Sequence, residues 1–178
     1  MQGWCRIRWV MLCVFILFLG ACRSSVGDSH KEVADMRVSS AAFQEGGAIP
    51  EEFTCDGADV SPPLRIENAP TGTKSLALTV EDPDAPSGTF VHWVVWNLSS
   101  GTRDLPKGQA GGVAGRNDFG RKGYGGPCPP SGQHRYFFKA YAVDTMLALS
   151  SDSGKKELEK ALKGHILAEA RLMGTYRR

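Results

Sequence analysis

The chain predicts a mostly β domain with short helices packed at its C-terminal side. Two segments rich in aromatic and β-branched residues, Phe90–Leu98 (FVHWVVWNL) and Tyr136–Val143 (YFFKAYAV), carry the strand expectation. Joints rich in Pro and Gly separate the segments, and helical periodicity is confined to the residues after Ser150. In chain order, residues 36–43 predict a first strand and Ser75–Val80 a second, followed by the two long segments as third and fourth. Ser61-Pro62-Pro63 and Asp82-Pro83-Asp84-Ala85-Pro86 are stiff turns. Residues 108–132 are full of Gly and Pro yet hold Phe119, Tyr124 and charges, which points to an ordered functional loop rather than a solvated linker. Ser153 predicts the cap of a helix with Leu158 and Leu162 on one face, Glu159 and Lys163 paired, and Gly164 as its stop. A second helix is expected from about His165 to Met173, with Ile166, Ala170 and Met173 on one stripe and Gly174 ending it. No internal repeat is seen.

The N-terminus reads as an export signal. Arg6 and Arg8 precede an apolar run, Trp9–Leu19, that is too short to span a bilayer, which needs about 20 residues. Leu19-Gly20-Ala21-Cys22 resembles the lipobox of bacterial lipoproteins, in which small residues fit the peptidase and the thiol carries the lipid. Residues 1–21 are therefore expected to be a signal peptide and Cys22 the lipidated residue. Residues 22–35, polar and rich in Ser, are expected to be a tether, and residues 36–178 the domain. An ordinary signal with an incidental Cys22 and a retained helix are the competing readings. Arg23 after the cysteine favours the periplasmic face of the outer membrane if the host has two membranes.

Removal of the signal leaves 19 basic and 19 acidic residues, so the apparent basicity gives no reason to expect nucleic acid as a partner. Two cysteines remain for the domain, Cys55 and Cys128. An oxidising compartment suggests that they form a disulfide, and two unpaired buried thiols are the alternative. Two cysteines alone make a poor zinc site.

Three polar clusters stand out. Asp82 and Asp84 flank Pro83 just after a strand, His92 sits inside an apolar strand beside Trp93, and His134 follows Gly126-Pro127-Cys128-Pro129-Pro130. Taken singly, each has a bland reading as a turn cap, a satisfied core histidine or a rigid connector.

Together these segments resemble the phosphatidylethanolamine-binding protein family, in particular its bacterial Raf-kinase-inhibitor-like branch. The resemblance rests on FTCDGADVSPPL (53–64), DPDAPSGTFVHWVVWNL (82–98), GRNDFG (115–120), GYGGPCPPSGQHRYFFKAYAVD (123–144) and GHILAEARLMGTY (164–176). It implies a β-sandwich of two sheets with a small anion pocket lined by Asp82, Asp84, His92, Gly126, Pro127, His134 and Tyr136. Trp93 and Tyr136 are expected to wall it. Two imidazoles, oriented by neighbouring carboxylates, and amides of the Gly-rich loop would donate to the anion. A ring face would favour an ethanolammonium head.

The resulting expectation is a non-enzymatic module that binds a small anionic or phosphorylated ligand at the cell envelope, without cofactor or metal. A protein-interaction module, such as a protease inhibitor, is the alternative, with a protein partner in place of a small ligand. A hydrolase using His92, His134 and Asp82 is weighed against the lack of a Gly-x-Ser-x-Gly elbow, a Walker motif or His-Glu-x-x-His. A metal site of Asp82, His92 and His134 is a fourth reading.

Overall fold

A computed structural model describes residues 35–178. The expected signal peptide, Cys22 and nearly all of the tether lie outside the described residues. The strands are β1 (Arg37–Ser39), β2 (Leu64–Glu67), β3 (Ser75–Asp82), β4 (Phe90–Ser99), β5 (Asp104–Leu105), β6 (Val113–Ala114), β7 (Gln133–Val143) and β8 (Ile166–Arg177). One α-helix, α1 (Lys155–Leu162), is found among the described residues. A large antiparallel sheet has the order β6-β4-β3-β7-β8, and a small one the order β1-β2-β5.

β3 reads as a nearly continuous apolar run because it is the central strand and both of its faces are covered. Leu76, Leu78 and Val80 point inward and meet Val95, Phe138 and Ala140 of the large sheet and Val38, Leu64, Ile66 and Leu105 of the small-sheet side. Phe43 joins this inner core with its ring 5.4 Å from Phe138. Each such side chain contributes about 1.5–3 kcal/mol by leaving water. On the outer face Ala77, Val94, Trp96 and Val143 are covered by Leu147 and by Leu158 and Leu162 of α1.

Glu81, also on β3, is buried and satisfied. It accepts from the Thr79 hydroxyl at 2.8 Å and pairs with Lys139 at 2.8 Å and Lys155 at 3.1 Å. Burial opposes its ionisation, but the Lys139 and Thr79 hydrogen bonds outweigh that and hold its carboxyl below the ordinary value.

The C-terminal expectations need correction. The cap lies one residue later than Ser153: Gly154 precedes α1, and its N–H donates to Glu157 Oε2 at 2.9 Å. The Ser153 carbonyl instead accepts from the Arg116 amide, which ties it to the neighbouring loop. Glu159 pairs with Lys155 at 3.2 Å, one turn back, rather than with Lys163. Gly164, at φ +83°, does end the helix.

The expected second helix is a strand. From Ala168 to Arg177, β8 pairs residue for residue with β7, and this ladder overrides the helix-forming composition Leu-Ala-Glu-Ala-Arg-Leu-Met. Gly174 is not a helix stop. A Cβ there would lie 2.6 Å from Ile49 and 2.8 Å from Phe43, so glycine lets the strand approach the inner core closely.

Candidate functional site

Antiparallel pairing places the C-terminal end of β3 beside the N-terminal ends of β4 and β7. Asp82, His92 and His134, far apart in sequence, therefore meet at one end of the large sheet. A β-bulge completes the arrangement. Val80 pairs with Trp93 and Glu81 with Val91, so His92 is the extra residue of β4. Strict alternation from Trp93 would turn His92 away from the inner core; the bulge brings its ring beside Tyr136 instead, at 5.2 Å edge-on. A second irregularity in β4 accompanies Asn97, whose φ is +56° and whose side-chain amide bonds both backbone groups of Leu147.

These residues line a cavity of about 370 Å³. Asp82, Ser87, His92 and His134 supply its polar part, and Ala85, Pro86, Phe90, Phe119, Pro130 and the disulfide-bonded Cys128 its apolar wall. The volume lies at the small end of ligand pockets and suits a head group rather than a large molecule. Phe90 and Phe119 hold the His92 ring edge-on at 5.1 and 5.3 Å.

Hydrogen bonding sets the state of both imidazoles. His92 Nδ1 is 2.8 Å from the Gly125 carbonyl and 3.1 Å from that of Gly126. Carbonyls only accept, so this nitrogen carries the hydrogen. Burial lowers the pKa of His92 and outweighs the carbonyls and the Asp82 charge, which favour protonation. The ring is thus neutral at neutral pH, and its Nε2 presents a lone pair. His134 Nδ1 donates to Asp82 Oδ2 at 2.7 Å. Neither Nε2 has a protein partner among the described residues.

The Tyr136 hydroxyl is fully buried and has no hydrogen-bond partner in good geometry among the described residues. Burial and the nearby Asp82 carboxylate push its pKa up, so it stays a neutral phenol. Asp84 stands outside the cavity. Arg135 forks onto it at 2.6 and 2.8 Å and holds its carboxyl at about 2. The Asp84 amide donates to Asp82 Oδ1 at 2.8 Å, so Asp84 positions the turn that carries Asp82.

The structure therefore brings Asp82, His92 and His134 together at the cavity, with Tyr136 packed edge-on against the His92 ring and not among the lining residues, and it places the other expected residues differently. Trp93 is buried in the inner core with its ring 5.4 Å from Tyr124, and it does not line the cavity. Gly126 holds His92 through its carbonyl. The amides expected as anion donors are committed, that of Gly125 to the His92 carbonyl at 3.0 Å and that of Gly126 to Asp59 at 2.6 Å. Pro127 accepts from the Cys55 amide at 3.1 Å. The expected disulfide is present: Cys55 and Cys128 are bonded, with Cα atoms 5.4 Å apart.

Sequence reasoning missed Phe90 and Asp59, and it noted Phe119 only as an odd residue for a linker. Asp59 ion-pairs with Arg121, whose guanidinium lies over the Phe119 ring at 5.5 Å, so one chain of contacts braces the cavity wall. Asn117, buried, bonds the carbonyls of His92 and Gly123 at 3.3 and 3.0 Å and fixes the 115–125 loop against β4. The positive φ of Asp59, +54°, has no signal in a single sequence beyond the tolerance of Asp for that region.

Comparison with known proteins agrees with this architecture. Residues 39–177 match the family model described as phosphatidylethanolamine-binding protein. A UPF0098 protein of Methanothermobacter thermautotrophicus is 47% identical over 150 residues, which cover 80% of this chain and 99% of that one. Another, of Archaeoglobus fulgidus, is 45% identical over 175 residues, 94% of this chain, and the match spans 60% of the length of that relative. Among solved structures, a homologue of the family from Chlamydia trachomatis superposes with a TM-score of 0.79 at 44% identity, covering 81% of this chain and 98% of that one. E. coli YbcL, described as a member of the mammalian family, gives 0.76 at 34% identity, covering 82% and 99%. On the family match, these identities and the shared two-sheet fold, the chain belongs to the phosphatidylethanolamine-binding protein family.

Proposed function

We infer that the chain is a non-enzymatic binding protein whose cavity takes a small phosphorylated head group, held at the cell envelope by lipid on Cys22. The observation that carries this reading is the pair of imidazoles whose Nδ1 atoms are tied to protein acceptors while both Nε2 atoms remain for a ligand. His134 offers its Nε2 beside the buried Asp82 carboxylate. His92, neutral when the cavity is empty, accepts from the P–OH of a monoanionic phosphate or takes up its proton. The rings of Phe90 and Phe119 give an ammonium group an apolar, π-rich wall.

The sign of the pH dependence follows. An anion in the cavity favours the charged form of a ring that is otherwise neutral, so binding takes up a proton and tightens as pH falls. The affinity for phosphate weakens above neutrality by up to about tenfold per pH unit. NMR titration of the histidine ring signals with inorganic phosphate and with phosphoethanolamine tests this. Both rings are expected to shift saturably, and His92→Ala to abolish the response. Rings that ignore both ligands, with a partner protein still captured by the double His92/His134 alanine variant, would favour the interaction-module reading. For the anchor, Cys22→Ser is expected to move the chain from the membrane to the soluble fraction; unchanged membrane recovery would count against lipid on that residue.

A further inference from the structure

β8 is an edge strand of the large sheet, and only part of its outer edge is covered. The segment around Gly46–Ile49 bonds the outward backbone groups of Met173 and Thr175. By alternation Arg171 and Glu169 point their N–H and C=O groups the same way, and none of these is bonded among the described residues. A free run of strand is a template for pairing with another chain unless it is blunted. Here the sheet-face charges do not repel a partner indiscriminately. Glu169 and Arg171 are exposed, lie on one face, and have no ion partner among the described residues; Arg171 rests over Phe137 at 5.6 Å.

We propose that the free part of β8 binds the β8 of a second copy of this chain, antiparallel, with Ala170 on the two-fold axis. This register sets Glu169 of each copy opposite Arg171 of the other, so the edge is complementary to itself in charge. The outward backbone groups of the same two residues form the ladder hydrogen bonds, and two five-stranded sheets become one of ten. A shift that put Ala168 opposite Ala170 would oppose the two Glu169 carboxylates, which disfavours it. Pairing is limited at each end by the covered Met173. There the exposed Leu167 (44%) and Ile166 (42%) reach the partner's covering segment and lose apolar surface to it.

Sedimentation of the full chain in mild detergent tests the proposal. Wild type is expected to dimerise in the micromolar range. Glu169→Arg opposes two arginines and Arg171→Glu two glutamates, so each is expected to weaken the dimer at least about tenfold. An equimolar mixture of the two variants restores complementary pairs and is expected to recover dimer as a heterodimer. The double swap E169R/R171E is expected to recover it within one chain, which also shows that the substituted edge folds. Wild type that stays monomeric across the range, single variants that dimerise undiminished, or a mixture that fails to recover would each overturn the proposal. So would a monomer whose Glu169 and Arg171 amides are protected from hydrogen exchange, since that places the chain's own N-terminal segment on the edge.

Discussion

Replacing Cys55 or Cys128 by serine is expected to lower the unfolding free energy by about 4 kcal/mol. The bond joins positions 73 residues apart, and chain entropy makes a closure of that length worth roughly this much. For a domain of this size the melting temperature drops by about 10 °C. The bond also has a local task. Cys128 lines the cavity, and the Cys55 amide clips Pro127, so the disulfide holds the segment whose carbonyls at Gly125 and Gly126 fix the His92 tautomer. Thermal melts with and without reductant, together with phosphate titration of the serine variants, measure both effects. Melting unchanged by reduction would show that the bond does not form or carries no stability.

Gly126→Ala is expected to cost about 3 kcal/mol and to weaken phosphate binding more than tenfold. A Cβ at this position would meet the Phe53 carbonyl oxygen at 2.5 Å and Thr54 Cα at 2.7 Å. Both are backbone atoms, so no side chain can swing aside, and the loop itself has to move. Its movement withdraws two acceptors from His92 Nδ1 and breaks the bond to Asp59. Gly120→Ala is the comparison: its Cβ meets open space, and only its left-handed backbone, φ +76°, is penalised, by about 1 kcal/mol. Binding is expected to survive that change. Denaturant unfolding of both variants gives the stability difference. A Gly126→Ala protein as stable as wild type would refute the close packing of this loop.

The sequence shows the fold most clearly where side chains repeat with the period of the backbone. β4 and β7 are legible because aromatic and β-branched residues fill them, and β3 because it is apolar on both faces. β2, β5 and β6 have two to four residues each, too few for a period to appear. β8 is misread because Ile166, Ala170 and Met173 fall at helical spacing among good helix formers. Its pairing with β7 outweighs that propensity, and no local signal reports a partner strand.

The site divides the same way. Asp82, His92 and His134 stand out as polar residues in apolar or stiff surroundings. The bulge that aims His92 inward depends on the register between two strands and is not visible in either strand alone. Phe90 and Phe119 look like ordinary apolar residues until the loop folds back and their rings meet at 4.8 Å.

The central position of β3 also shapes the history of the chain as it is made. β4 follows β3 closely, but the strand on the other side arrives much later, since Asp82 and its partner His134 are 52 positions apart. At 5–20 residues per second, one edge of β3 stays open for about 3–10 s of synthesis. That edge displays Leu76-Ala77-Leu78-Thr79-Val80, the kind of segment that pairs with other unfinished chains. A holdase that covers exposed strands would thus act on this protein in the interval before β7 emerges, and a pause in translation there would lengthen the time over which nascent chains aggregate.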